Sequence, residues 1–344
     1  MKFKAFSTLA ALAYSVAGFA QETAESTLKI SGSADAYYKY DLAKHPNIGT
    51  YFASDQNSIS LGMLDVALKK TTGKTSFVGE LSFGPRGEYQ SIPNGDGSAT
   101  NAGNSFHIQN LYANYAFTDK FSMTAGYMST FVGYEVISPL GNFNYSTSYL
   151  FSYGPFQNAG IKGTYNFSSQ ISLMVGLFDD WNVYSDVNGV SHVGAQLMVN
   201  PVPAWTAYLN VLSGTPQGGK NGTVLDLTTS YQATEKIKLG LNAADYSVSG
   251  GGGYQGAALY LQNAFTPAFA LGFRGEVFNQ KQATDLPSKD ITSFTLSGNF
   301  KSGGLTFIPE FRVDNDSGSN FIKSNGITNT KTASQFSFAI VYAF

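Results

Sequence analysis

The sequence predicts an all-β protein, a transmembrane antiparallel up-and-down β-barrel of about 16 strands with short periplasmic turns and long extracellular loops. Three observations predict this class. Apolar and polar residues alternate along segments of about 10 to 14 residues, which is the period of a strand with two different faces. Short turns and long loops alternate between these segments. Aromatic residues, which make up 15% of the chain, gather beside the short turns.

The first predicted strand, which begins at Thr27, shows the alternation clearly. Successive side chains of a strand point to opposite faces, so residues two apart share a face. One face of this segment is apolar or aromatic and the other is largely polar. The first face holds Leu28, Ile30, Ala34, Ala36, Tyr38 and Tyr40, and the second holds Lys29, Ser31, Ser33, Asp35, Tyr37 and Lys39.

The last predicted strand keeps the same period, and its apolar face ends in Tyr342 and Phe344. Between the first and last strands, the same pattern predicts strands near 57–70, 74–84, 105–117, 120–130, 157–167, 171–180, 190–200, 204–213, 223–233, 236–247, 255–265, 268–278, 290–300 and 304–314.

Two of these strands contain a one-residue slip in the pattern. In the strand over 57–70 the apolar set shifts between Met63 and Leu64, and in the fourth predicted strand it passes from Ile108 to Leu111. A slip of this kind indicates either a β-bulge or a misplaced strand boundary.

The connections favour a meander of hairpins that closes into a barrel. The short turns are 71–73, 118–119, 168–170, 201–203, 234–235, 266–267 and 301–303, and the longer connections include 85–104, 131–156, 248–254 and 315–331. Lipid cannot satisfy an unpaired backbone N–H or C=O, so a sheet that faces lipid has to close on itself. A barrel of about 16 strands is too wide for its side chains to fill, and a water-filled lumen is therefore expected.

Aromatic residues flank the short turns at Phe117, Phe121, Trp205, Phe265 and Phe269. Their collection at one depth is typical of the girdle at a membrane interface. The alternative is ordinary packing at the strand ends of a soluble sandwich, which explains aromatic residues but not their position beside the turns.

The first twenty residues have the pattern of a secretory signal peptide. Lys2 and Lys4 precede an apolar stretch, and the small residues Gly18 and Ala20 stand before the expected cleavage site. We therefore predict a signal peptide over 1–20 and an outer-membrane β-barrel over 21–344. A transmembrane anchor is the weaker alternative, because the apolar stretch is too short.

Composition excludes several classes of function. A net charge of -2 and a pI near 5.9 argue against a nucleic-acid partner. The chain has no cysteine, and no clustered His and carboxylate spacing suggests a metal site, so we predict neither a metal nor another cofactor. A hydrolase is the main enzymatic rival, but His45, His107 and His192 lie in no recognisable nucleophile motif, and we predict that the protein is not an enzyme.

Charged residues fall on the predicted inner face of several strands. Alternation places Arg274 and Glu276 inward on one strand and Glu310, Arg312 and Asp314 inward on a second strand two places away. These five residues, together with Glu80, are the predicted pore-lining set. They form either a mixed-charge network that solvates the lumen or a transverse field that selects among solutes.

The longest connection, 131–156, holds many aromatic residues for a solvated loop. We expect it to fold into the barrel and narrow the pore, with Tyr134, Glu135, Asn144 and Tyr145 as the constriction candidates. The alternatives are that it covers the mouth as a lid or that part of it extends the strands.

The segments Asn144-Tyr145-Ser146, Tyr149-Leu150-Phe151 and Gly154 to Gly160, with Arg274-x-Glu276-x-Phe278 and Glu310-x-Arg312-x-Asp314, resemble the OmpL-like β-barrel porin family over the mature chain. The resemblance implies a pore in the outer membrane of a Gram-negative cell. Tyr342 and the closing Phe344 resemble the C-terminal aromatic signal that the barrel-assembly machinery recognises.

The expected function is therefore passive diffusion of small hydrophilic solutes or ions through a porin. The expected partners are outer-membrane lipids, the assembly machinery and small solutes, and a homotrimer is possible. The alternative is a non-conducting barrel that acts as an adhesin or a structural surface protein through its long loops.

Overall fold

The computed structural model describes residues 27–84, 106–284 and 286–344. Sixteen antiparallel strands form a closed barrel, and a two-stranded hairpin lies in the last long loop. The predicted signal peptide lies outside the described residues. The strands are β1 (Lys29–Asp41), β2 (Ser58–Thr72), β3 (Thr75–Phe83), β4 (Phe106–Ala116), β5 (Phe121–Ser129), β6 (Gln157–Asn166), β7 (Ile171–Trp181), β8 (His192–Val202), β9 (Trp205–Gly214), β10 (Gly222–Gln232), β11 (Ile237–Val248), β12 (Gly253–Thr266), β13 (Phe269–Gln280), β14 (Lys289–Ser302), β15 (Leu305–Asp316), β16 (Phe321–Ile322), β17 (Asn329–Thr330) and β18 (Thr332–Ala343).

The barrel closes between its first and last strands. β1 pairs with β18 from Ser33 opposite Ala343 to Asp41 opposite Gln335. Below this ladder the Gly32 amide donates to the Phe344 carbonyl and the Phe344 amide donates to the Gly32 carbonyl. Every barrel strand is thus paired on both sides, as a lipid-facing sheet requires. The predicted barrel of about 16 strands is confirmed.

The outer face of the wall is apolar and the inner face is polar. On β13, Phe273 and Val277 point outward and are exposed at 36% and 55%, whereas Arg274 and Glu276 point inward and are almost fully buried. A soluble protein that exposed such a wall would leave large apolar patches in water. The outer face therefore fits a lipid environment.

Both predicted slips in the alternation are β-bulges. Between Ala34 and Ala36 of β1, the partner strand β2 advances three residues, from Leu64 to Leu61. The second bulge leaves Gln109 of β4 without a ladder partner on β3. An extra residue switches the strand face by one position, which is why the apolar pattern shifts there.

The long loops contain short elements that the period-two pattern does not detect. The connection between β5 and β6 contains a 3-10 turn at Pro139–Gly141 and a helix, α1 (Tyr149–Tyr153). β16 and β17 form a hairpin in the loop after β15. None of the helices in the described ranges is long and apolar enough to cross a membrane.

Candidate functional site

The connection 131–156, called the inner loop below, lies inside the barrel. Its residues contact inward-facing side chains of β1 and of strands from β10 to β15, and its first residue, Phe131, also contacts Phe178 on β7 and Gln196 on β8. Tyr145, Tyr149 and Leu150 of the loop are at most 4% exposed. The structure thus places the loop in the lumen rather than over the mouth, and only its two short helical turns are regular.

Arg274 is a wall residue beneath the loop that donates to both arms of the loop. Its guanidinium donates to Glu135 Oε1 at 2.6 Å, to the Ser146 carbonyl at 2.7 Å and to the Thr147 carbonyl at 3.2 Å, and it also donates to Thr295 on β14. The side chain is fully buried. Charge-assisted hydrogen bonds of this kind are stronger than neutral ones, so this group joins two parts of the loop to the wall.

Two wall carboxylates bind the backbone of the inner loop. Glu276 accepts from the Tyr149 and Leu150 amides at 3.0 and 2.8 Å, and Glu310 accepts from the Tyr145 and Ser146 amides at 2.7 and 3.1 Å. Loop amides buried in the barrel would otherwise lack acceptors, and each unsatisfied group is costly. The wall therefore supplies the acceptors that a non-regular backbone lacks.

Ser148 caps α1 and joins it to the opposite side of the loop. Its hydroxyl accepts from the Phe151 amide and donates to Glu135 Oε2 at 2.8 Å. Glu135 thus bridges the helix cap and Arg274, which fixes the loop's two arms relative to each other.

Arg312 and Asp314 form a second buried group. Arg312 donates to both carboxylate oxygens of Asp314, at 2.8 and 3.0 Å, and to the Thr147 carbonyl at 2.7 Å. The Tyr149 hydroxyl also donates to Asp314 at 2.8 Å, and the Arg312 guanidinium lies 5.1 Å from the centre of the Tyr149 ring. Burial, reinforced by the Asp314 charge, raises the pKa of Tyr149 well above its usual value, so the phenol stays a donor.

Other residues of the inner loop contact separate positions on the wall. The Tyr134 ring stacks on Tyr260 with centroids 4.4 Å apart, and the Asn144 amide donates to Ser297 at 2.7 Å. The Tyr145 hydroxyl donates to Asp35 at 2.5 Å. With Glu135, which accepts from Arg274, all four constriction candidates therefore contact the wall.

Two inward-facing glycines allow the inner loop to approach the wall closely. A Cβ on Gly272 would lie 2.5 Å from the Phe143 carbonyl oxygen, and a Cβ on Gly240 would overlap the Tyr134 hydroxyl. Any side chain at either position would push the loop away from β11 or β13.

The first long loop, between β1 and β2, also packs against the inner loop. The Thr147 hydroxyl donates to the Tyr51 carbonyl at 2.7 Å, and the Tyr51 amide donates to the Ser152 hydroxyl at 3.1 Å. Phe52 packs beside Phe151 in an apolar cluster. Two loops therefore fill one side of the lumen together.

A serine, a histidine and an aspartate meet at the extracellular end of the barrel but lack the geometry of a catalytic triad. Ser191 Oγ lies 2.7 Å from His192 Nδ1, and Asp180 Oδ1 lies 3.5 Å from the same nitrogen. A triad needs the serine and the acid on opposite ring nitrogens. The described residues contain no group of three or more His, Cys, Asp or Glu placed to hold a metal ion.

A family model described as "Putative beta-barrel porin-2, OmpL-like" matches residues 27–344. The chain belongs to this family. No protein of curated function matches the sequence significantly.

Solved structures share the fold of this porin at low sequence identity. The outer-membrane channel DcaP of Acinetobacter baumannii aligns with a TM-score of 0.63 and 11% identity over 95% of this chain and 100% of that chain. The anion-selective porin of Comamonas acidovorans gives 0.61 and 13% over 92% of this chain and 99% of its own. The trimer form of Vibrio cholerae OmpT gives 0.60 and 12% over 92% and 99%. At these identities the likeness concerns the fold.

The predicted pore-lining residues of this porin lie on the inner wall, and most of them lie under the inner loop. Arg274, Glu276, Glu310, Arg312 and Asp314 are at most 2% exposed. Glu80, on the opposite side at β3, remains half-exposed and accepts from Asn110 at 2.7 Å. The spacing of these residues indicates their face but not the loop that covers them.

Tyr342 and Phe344, the predicted assembly signal, end the strand that closes the barrel. Their rings are exposed on the outer face at 48% and 51%, and their centroids lie 6.3 Å apart. This position leaves both rings accessible to another protein or to lipid.

Among the inward-facing charged residues that sequence reasoning overlooked is Lys162 on β6. The signal that could have identified it is a lone charge in a strand that otherwise holds small, polar and lipid-facing residues.

Proposed function

We propose that this chain is an outer-membrane porin through which small hydrophilic solutes or ions diffuse passively, with the inner loop setting the width of the channel. The observation that carries the proposal is the attachment of this loop to one side of a closed barrel by buried charged groups. A loop fixed in this way narrows the lumen without any moving part. Passive diffusion requires only a stable opening of this kind.

The wall residues act in this proposal mainly through the loop. Arg274, Glu276, Glu310, Arg312 and Asp314 hold the loop in place, and Glu80 contributes a carboxylate to the uncovered wall. Tyr134, Glu135, Asn144 and Tyr145 shape the constriction from its anchored side, while the loop backbone faces the remaining passage.

Export and assembly complete the proposal. Residues 1–20 direct secretion, and Tyr342 with Phe344 presents the closing strand to the barrel-assembly machinery. The mature barrel then sits among outer-membrane lipids. A homotrimer is consistent with the trimer form of the similar Vibrio cholerae protein, and crosslinking in outer-membrane vesicles would yield a band of three chains.

Planar-bilayer recording tests the proposal. The refolded mature protein is added at low concentration in about 1 M KCl, where the Debye length is about 3 Å. It should give stepwise and stable current increases. A sample of the same protein boiled in the same detergent is the control and should give none. Silence from the folded barrel would overturn the channel and favour a structural or adhesive surface protein.

A further inference from the structure

The inward carboxylates of the barrel already have partners in the protein. On the described strands each of them accepts at least one hydrogen bond from the wall or from a loop: Asp35, Asp41, Asp65, Glu80, Asp180, Asp226, Glu276, Glu310, Asp314 and Asp316. Most of them lie under the inner loop or at the extracellular end. These carboxylates therefore act as hydrogen-bond acceptors within the folded protein.

Lys162 differs from the lysines around the lumen. Lys39 donates to the Ser54 carbonyl, Lys238 lies over the Phe143 ring and Lys289 pairs with Asp316. Within the part of the chain that the structure describes, the Lys162 ammonium has no carboxylate within 4.0 Å and no hydrogen-bond partner. It lies near the middle of β6 on the inner face and is half-buried.

Glycines stand beside Lys162 on the neighbouring strands, and the Phe178 and Phe131 rings lie over them. Its ladder partners are Thr124 on β5 and Gly176 on β7, and Gly176 is followed across the sheet by Gly194 on β8. A Cβ on Gly176 would lie 2.8 Å from the Lys162 Cβ. Glycine therefore leaves room for the lysine stem and for the Phe178 ring beside it, while Thr124 adds a hydroxyl on the other side.

Charged side chains that face the interior of a membrane protein commonly mark a path for substrate or ions. We propose that Lys162 is the contact point for anionic groups of solutes that cross the lumen along the uncovered wall. The inference rests on the proposed channel and adds a substrate class to it. The charged groups of the loop-covered side are engaged with one another and with the loop, so an anionic group is drawn toward the unpaired ammonium on β6.

The expected size of the effect follows from Coulomb's law. An ion that passes about 7 Å from one unit charge in water gains or loses roughly one unit of thermal energy, RT. Salt at about 0.1 M has a Debye length of about 10 Å and halves this interaction. Because anions gain what cations lose, one lysine changes the anion-to-cation permeability ratio by about threefold.

The test is the reversal potential in a KCl gradient across a planar bilayer, measured for the full mature protein. Lys162→Gln should lower the chloride-to-potassium permeability ratio about threefold, and Lys162→Glu should lower it further, to roughly a tenth of the wild-type ratio. Lys120→Gln is the matched control, because Lys120 is an exposed lysine in a periplasmic turn, and its ratio should equal that of the wild type. Citrate added to one side should reduce the wild-type current and should do so less in Lys162→Gln.

The outcomes separate the two proposals. Normal conductance with the same ratio in Lys162→Gln and Lys120→Gln would overturn the role of Lys162 and leave the channel intact. No current from the wild type would overturn the channel, and the anion path with it. The SDS mobility of unboiled Lys162→Gln should match that of the wild type, since Lys162 holds nothing in the described fold, and a lost compact band would contradict that reasoning.

Discussion

Replacement of Arg274 by methionine tests whether buried charge holds the inner loop. Methionine keeps much of the length of the side chain but has no donor, so Glu135 loses its cation and the Ser146 and Thr147 carbonyls lose a donor. Glu135 is only 7% exposed, so its charge is left in a poorly solvated place. Removing one partner of a buried ion pair costs about 3–5 kcal/mol.

The double variant Arg274→Met/Glu135→Gln separates the lost pair from the lost donors. Glutamine carries no charge and still accepts from the Ser148 amide, so the double variant should recover about 2 kcal/mol of what the single variant loses. Glu135→Gln alone completes the double-mutant cycle. The expected coupling between the two positions is therefore about 2 kcal/mol or more, well above the few tenths that independent sites show.

Two measurements check this prediction. Urea unfolding in phospholipid vesicles gives the free energy of unfolding of each variant, and single-channel recording gives the open-channel noise, which should rise when the loop loosens. Equal unfolding free energies for the wild type and Arg274→Met, with unchanged noise, would refute the reasoning. Additive effects of the two substitutions would show that Arg274 acts on the loop carbonyls alone.

Three further predictions follow from the fold. Gly272→Val should displace the inner loop and change the single-channel conductance. Gly275→Ala is the control: it lies on the outer face of the same strand, its Cβ would meet the nearest side-chain atoms at 3.5 Å, and it should conduct like the wild type. Equal conductance in both variants would contradict the close approach of loop and wall. Deletion of Phe344 should lower the outer-membrane yield of assembled barrel in cell fractions, and a normal yield would remove its role in assembly. The unboiled protein should stay folded in SDS and migrate differently after boiling, and identical mobility would argue against the closed barrel.

The faces of the strands could be predicted because lipid imposes a strict period of two. Each outward position has to be apolar, so a single bulge residue such as Gln109 displaces the apolar pattern by one place. The bulge can therefore be detected in the sequence. Strand ends were accurate to a few residues for the same reason: the pattern stops where the lipid stops. Even the pairing of β1 with β18 follows, since an open edge is excluded.

The docking of the inner loop could not be predicted because it has no period. Glu310 and the Tyr145 amide are 165 positions apart, and a carboxylate that accepts from a distant backbone amide leaves no pattern in either segment. The sequence therefore indicated which wall residues point inward but treated them as solvated. The β16–β17 hairpin was missed for a related reason, because two-residue strands are too short to show alternation.

The location of the inner loop changes which residues can act on a solute. Charges that alternation alone assigns to the lumen, such as Arg274 and Glu276, hold the loop, and their fields are largely compensated by their partners. A charged group without such partners exerts its electric field on a solute that passes through the lumen. In this barrel that condition singles out β6, away from the charged anchors of the loop, where Lys162 has no charged partner among the described residues. The side of the lumen that is rich in charged residues thus holds the loop, and the side that has few charged residues contacts the solute and sets the selectivity.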